Sequence, residues 1–131
     1  MKGASVKSSS IQYDGPMPMV IHSALLDLVT AVTEQAAVLI EQSMTIKSIR
    51  SMVRVAAGTA SGTAYLGTIA DPNAYAEQAH ATTDAAGTLF DWTLILATIP
   101  ENTVVVWGAD GGSTSTGSVD CTAILVPLED A

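Results

Sequence analysis

No lysine or arginine follows Arg54: residues 55–131 carry nine carboxylates and not one cationic side chain. In the same stretch, short runs of Val, Ile, Leu and Thr alternate with Gly, Pro, Asn and Asp, the punctuation of strands and turns. A fold made from it must hold its polar surface together without ion pairs of its own. That combination suits a β-sandwich that works through its surface, and it suits an enzyme poorly.

With 131 residues, the chain is the size of one domain that buries about two-thirds of its unfolded surface. Hydrophobic residues make up 48% of it and aromatics only 5%, so the core has to come from Val, Ile, Leu, Ala and Met. The net charge of −8 is repelled by phosphate backbones and anionic lipid, which argues against nucleic-acid and membrane partners. The charge is unevenly spread, because residues 1–54 set five cations against four acids. There is no secretory leader and no apolar run of about 18 residues, so the chain is expected to fold in the cytoplasm. Cys121, the single cysteine, sits in an alternating apolar run, where a lone thiol behaves as a small buried hydrophobe.

Residues 1–16 are small and polar and end on Asp14-Gly15-Pro16. They read as a flexible tail or as an extended arm that orders on a neighbour, with Ile11 and Tyr13 as apolar anchors. Residues 17–131 then form the sandwich domain. Pro16 and Pro18 confine a first strand, 17–21, to a sheet edge. Residues 24–42 fit a helical stripe as well as strands, and their β-branched side chains favour strands at 28–32 and 36–41. Residues 44–55 alternate in two phases, Ile46 in one and Ile49, Val53 and Val55 in the other. A β-bulge near Ser48 would produce that, and such a strand is expected to bend between two sheets.

Further strands are expected at 63–70, 89–97, 104–108 and 119–126. The 89–97 strand would put Phe90, Trp92, Leu94 and Leu96 on one face. Residues 104–108 are apolar on both faces and so belong mid-sheet. Asp71-Pro72-Asn73 and Pro100-Glu101-Asn102 are turns, and the Gly-rich 110–117 reads as a hairpin loop. Residues 74–86 are polar and weakly periodic. About eight strands at regular spacing make an all-β sandwich or barrel.

Asp84, Asp91 and Asp110 are the acids to weigh for catalysis, but the acids of this chain fall at turns and strand ends, as solvated caps do. His22 and His80 belong to no metal-binding spacing. Asp110-Gly111-Gly112 lacks the run of oxygen ligands that a calcium loop needs. Phosphate loops, dinucleotide fingerprints and nucleophile elbows are missing as well, so no catalytic residue, cofactor or metal is assigned. Lys47, Arg50 and Arg54 share one strand and are the candidates for a polar partner interface, with Ile11 and Tyr13 as its apolar complement. Trp92 and Trp107 are either core or an exposed ligand platform.

Met44-Thr45-Ile46-Lys47-Ser48-Ile49-Arg50, Ala64-Tyr65-Leu66-Gly67-Thr68, Ile99-Pro100-Glu101-Asn102-Thr103-Val104-Val105-Val106, the 111–117 loop and Cys121-Thr122-Ala123-Ile124-Leu125 follow one another along the chain. Taken in that order, they resemble small virion proteins of tailed bacteriophages. The resemblance is to the capsid decoration (cement) or head-fibre type, built on a jelly-roll-like β-sandwich. It implies a non-enzymatic structural protein, a homotrimer that binds major capsid protein subunits and stabilises the capsid surface of the virion after synthesis in the host cytoplasm. A neck, tail or head-fibre component with a role in host adhesion remains open, as does a carbohydrate-binding module using Trp92 or Trp107.

Overall fold

The computed structural model describes residues 18–111 and 115–128, apart from the Thr33 side chain. The arm, with Ile11 and Tyr13, lies outside the described residues. Nine strands are formed among them: β1 Met19–Asp27, β2 Val32–Ile40, β3 Met44–Val55, β4 Gly62–Gly67, β5 Ala76–His80, β6 Leu89–Asp91, β7 Thr98–Ile99, β8 Thr103–Ala109 and β9 Ser118–Pro127. Sheet A has the order β1-β9-β3-β6, with β7 also paired to β3, and sheet B has the order β2-β8-β4-β5. All pairings are antiparallel. The chain passes repeatedly from one sheet to the other, so strands distant in sequence interleave in each. This is the jelly-roll arrangement that the resemblance implied.

The core lies between the sheets. Leu26, Ile46, Ile49, Val53, Val119 and Leu125 come from sheet A and Ile40, Leu66, Val105 and Trp107 from sheet B, all buried. Each large aliphatic side chain hidden in this way contributes about 1.5–3 kcal/mol. The alternation in β3 is inward at Ile49, Ser51 and Val53 and outward at Arg50 and Arg54. Its register slips between Ile46 and Ser48, where the two-phase pattern located a bulge. β8 is interior to sheet B and buried from Val105 to Ala109.

Other expectations change. The first strand runs on to Asp27, residues 28–30 bend, and the strand expected at 28–32 begins at Val32 instead. β3 stays in sheet A rather than bending between sheets. The 110–117 loop is a crossover and not a hairpin, since β8 lies in sheet B and β9 in sheet A. Polar residues 74–86 contain β5, which turns only Ala76 and His80 fully into the core.

The 89–97 strand is interrupted. Leu89–Asp91 and Thr98–Ile99 pair with β3, while Leu94 bridges to Ala76 of sheet B and the Ile95 N–H donates to the Tyr75 carbonyl at 2.7 Å. The inward alternation of Phe90, Trp92 and Leu94 survives, but these backbone bonds to the opposite sheet leave Leu96 exposed.

Two local devices hold the edges in shape. In β1 the register shifts between His22 and Leu25. There the Ser23 hydroxyl takes the place of a ladder carbonyl, accepting the Cys121 N–H at 3.0 Å, and Ala24 adopts a φ of 59°. Over sheet B the Asp71-Pro72-Asn73 turn folds back on Gly67, where a Cβ would collide with the Asp71 and Pro72 carbonyls. Glycine is required there by the close approach of backbone to backbone.

Candidate functional site

Lys47, Arg50 and Arg54 are the only cations between residues 18 and 131, and all three are exposed on β3. Sheet B strands contain no cation, and they carry Glu34 and Glu77. Among the described residues, the outer face of sheet A is therefore the one place where positive charge is displayed. Its arginines are engaged within the fold: Arg50 Nε donates to Asp91 Oδ1 on β6, and Arg54 Nη1 to Asp120 Oδ2 on β9, each at 2.6 Å. The acidic half of the chain thus draws its ion pairs from β3, which the sequence of that half alone excluded. The Arg50–Asp91 side chains are 68% and 75% exposed, and a pair that open to water contributes about 0–1 kcal/mol. Lys47, at the bulge, makes no ion pair among the described residues.

Register builds this face into rows. His22, Thr122, Arg50 and Asp91 stand side by side across four strands, with His22 Nδ1 and Thr122 Oγ1 3.1 Å apart. The next row is Leu25, Asp120, Met52 and Leu89, with Leu89 70% exposed and Leu25 54%. On the other side of the polar row, Val20 and Ile124 are exposed as well. Apolar anchors flanking a polar stripe form the mixed composition of a protein-binding patch. Sequence reasoning found the cations by their spacing on β3. It missed His22, Leu25, Leu89 and Thr122, because their place beside the cations depends on pairings across the sheet.

The other candidates serve the fold. Asp84 Oδ2 accepts the Ala81 N–H and Asp110 Oδ1 the Thr63 N–H, so with Asp91 the three acids occupy separate local duties. Among the described residues, no group of three His, Cys, Asp or Glu is arranged to hold a metal ion. No helix there is long and apolar enough to cross a membrane. Cys121 is buried, and loss of solvent pushes its thiol up to about 12; the Ser23 hydrogen bond opposes the rise and Asp120 adds to it. It is the small buried hydrophobe that its sequence setting indicates.

Both tryptophans are core. Trp92 and Trp107 meet edge to face with ring centroids 6.0 Å apart, and neither presents an open face to solvent. Trp92 Nε1 donates to Ser51 Oγ at 3.0 Å, and Ser51 Oγ lies 2.8 Å from His80 Nε2. If the hydroxyl donates to Nε2, the proton of the neutral ring sits on Nδ1, which has no acceptor among the described residues. The opposite tautomer would leave both the hydroxyl hydrogen and Nδ1 unmatched, so the first arrangement costs less. Burial lowers the His80 pKa. The Gly62 backbone and the Asp84 charge oppose that shift, although no acceptor meets hydrogen-bond geometry at Nδ1. Trp107 Nε1 is likewise buried without a partner among the described residues.

No protein-family model matches the chain, and no curated protein matches it in sequence. Among solved structures, a chain of the cyanophage Pam1 capsid asymmetric unit shares its architecture, with a TM-score of 0.55 and 16% sequence identity. The likeness spans 97% of this chain and 96% of that one, so the two are nearly equal in length. At this identity it establishes a shared antiparallel β-sandwich fold.

Proposed function

We propose that the protein is a structural component of a bacteriophage virion, a homotrimer that decorates the capsid by binding major capsid protein subunits. One observation carries the reading: a chain of nearly equal length and the same fold, matched over 97% of this chain, occurs within a phage capsid asymmetric unit. Support also comes from the outer face of sheet A, where Lys47, Arg50 and Arg54 stand among exposed Leu25 and Leu89 on a surface that spans β1, β9, β3 and β6. A partner bearing carboxylates can compete for those arginines, because exchanging one exposed ion pair for another costs little. The arm, through Ile11 and Tyr13, reaches a neighbouring chain. A sugar-binding module would need an aromatic platform, and both tryptophans are buried.

Electron cryomicroscopy of the native particle tests the proposal. The expected result is threefold density for this sandwich on the outer shell, with sheet A facing the capsid lattice. A particle that lacks the chain, or holds it only in the tail, would overturn the decoration reading.

A further inference from the structure

The edge formed by β1 and β2 is half closed. Beyond the Ser23–Ala24 bulge, Gln35 Nε2 of β2 donates to the Leu25 carbonyl of β1 at 3.3 Å. Before the bulge the two strands part, and residues 19–22 and 36–38 wall a cleft of about 250 Å³ with Val105 and Trp107 at its base. Each wall is the first strand of its sheet, paired on one side only. Such an edge offers backbone N–H and C=O groups to an added strand. The volume lies below the roughly 300–1,000 Å³ of small-molecule pockets and suits one or two inserted side chains. Trp107, 2% exposed, closes it from below, and its buried indole N–H has no acceptor among the described residues.

We propose that this cleft receives the N-terminal segment of a second copy of the chain, with Ile11 and Tyr13 as the inserted side chains and the segment's backbone pairing with a free strand edge. The segment joins the fold at Pro18, which borders an adjoining hollow beside Met19 and Leu39. Proline at 16 and 18 disfavours the helical region for the residue before it, so the proposal takes the segment as an extended continuation of β1. A fold-back of the same chain through an Asp14-Gly15 turn would set Tyr13 opposite Pro16 and Ile11 opposite Pro18. Both anchors would then fall short of residues 19–22, and Ser10 and Ser8, opposite Met19 and the inward Ile21, would face the cleft instead. Ile11 and Tyr13, about 20–29 Å of extended chain from Met19, reach a neighbour's cleft without reversal.

Charge favours the same occupant. Residues 1–17 hold two lysines and one aspartate, whereas residues 18–131 hold three cations and twelve carboxylates, with Glu34 and Glu41 on either side of the 36–38 wall. An arm-to-cleft contact is head to tail, and rotation about a threefold axis closes it into a ring. The inference deepens the trimer reading above and rests on it only for the number of copies. It is tested on isolated protein, so failure to bind a capsid leaves it standing.

The test mixes two full-length single variants, Ile11→Cys and mass-tagged Ala37→Cys, under mild oxidation. Cys121, buried with its thiol pushed up to about 12, stays silent. The expected result is a disulfide between tagged and untagged chains, at least about tenfold more abundant than with Thr82→Cys at the far edge as the acceptor. The Ile11→Cys/Ala37→Cys double variant should give linked trimers. Cross-links no more frequent than with Thr82→Cys, or a double variant that closes only within single chains, would overturn the proposal.

Discussion

At the β5/β6 edge, residues 93–96 leave sheet A, and the Ile95 and Leu96 N–H groups donate to the Tyr75 carbonyl beside β5, whereas at the β1/β2 edge the Gln35 amide reaches across and the rest gapes. The two tryptophans that touch in the core record the contrast. Trp92, on the closed side, gives its N–H to Ser51 inside a buried Trp-Ser-His chain; Trp107, on the open side, has no acceptor among the described residues. A buried donor left unpaired costs about 1–3 kcal/mol. The contrast is what the proposal that a second chain finishes the β1/β2 edge would lead one to expect.

Breaking the closed side should have the largest effect. Ser51→Ala strips the partner from Trp92 Nε1 and His80 Nε2 at once, and should lower unfolding free energy by about 1–3 kcal/mol in urea titration. A change under about 0.5 kcal/mol would mean that the buried chain of hydrogen bonds is not what secures this edge. The two indoles can then be set against each other, since Trp→Phe removes the same atoms at both positions and a hydrogen bond at only one. Trp92→Phe should cost about 1 kcal/mol more than Trp107→Phe in dilute, unassociated protein, and equal costs would erase the distinction between the edges.

Acid should also single out the closed side. Burial lowers the His80 pKa from its ordinary 6.5, so as pH falls the unfolded chain takes up the proton first. The stability held by the neutral ring is complete above about pH 6.5 and is lost as pH drops towards the lowered folded value. Urea midpoints taken from about pH 7.5 to 5 should fall more steeply for the wild type than for His80→Gln. Parallel curves would show that the ring makes no such contribution. The smallest effect belongs to the open side, where Ala24 sits at a φ of 59° that glycine adopts freely. Ala24→Gly should stabilise by up to about 1 kcal/mol, and a loss would show that the bulge depends on the alanine side chain.

What the sequence made legible follows from the range of the interactions. The β3 bulge, the interior place of β8 and the 71–73 turn are written in neighbouring residues, and each is where the pattern put it. β5 escaped notice because its Ala-Glu-Gln-Ala-His sequence offers no large aliphatic side chain, and its inward His80 is recognised by Ser51, 29 residues away. The break in 89–97 and the crossover at 110–117 depend on which sheet the next partner occupies, which local alternation does not encode. The same limit governs the binding surfaces. Lys47, Arg50 and Arg54 were visible as one strand's outward residues, while Asp91 and Asp120 join Arg50 and Arg54 from 41 and 66 residues away. The β1/β2 cleft, walled by strands of different sheets, left no mark in either strand alone.

Amide hydrogen exchange compared between dilute and concentrated full-length protein bears most directly on the claim that one edge awaits a second chain. The account predicts that residues 19–22 and 36–38 gain protection as copies associate, while β5 and β6 exchange at unchanged rates. Equal exchange at both concentrations, or protection confined to the β5/β6 edge, would contradict it.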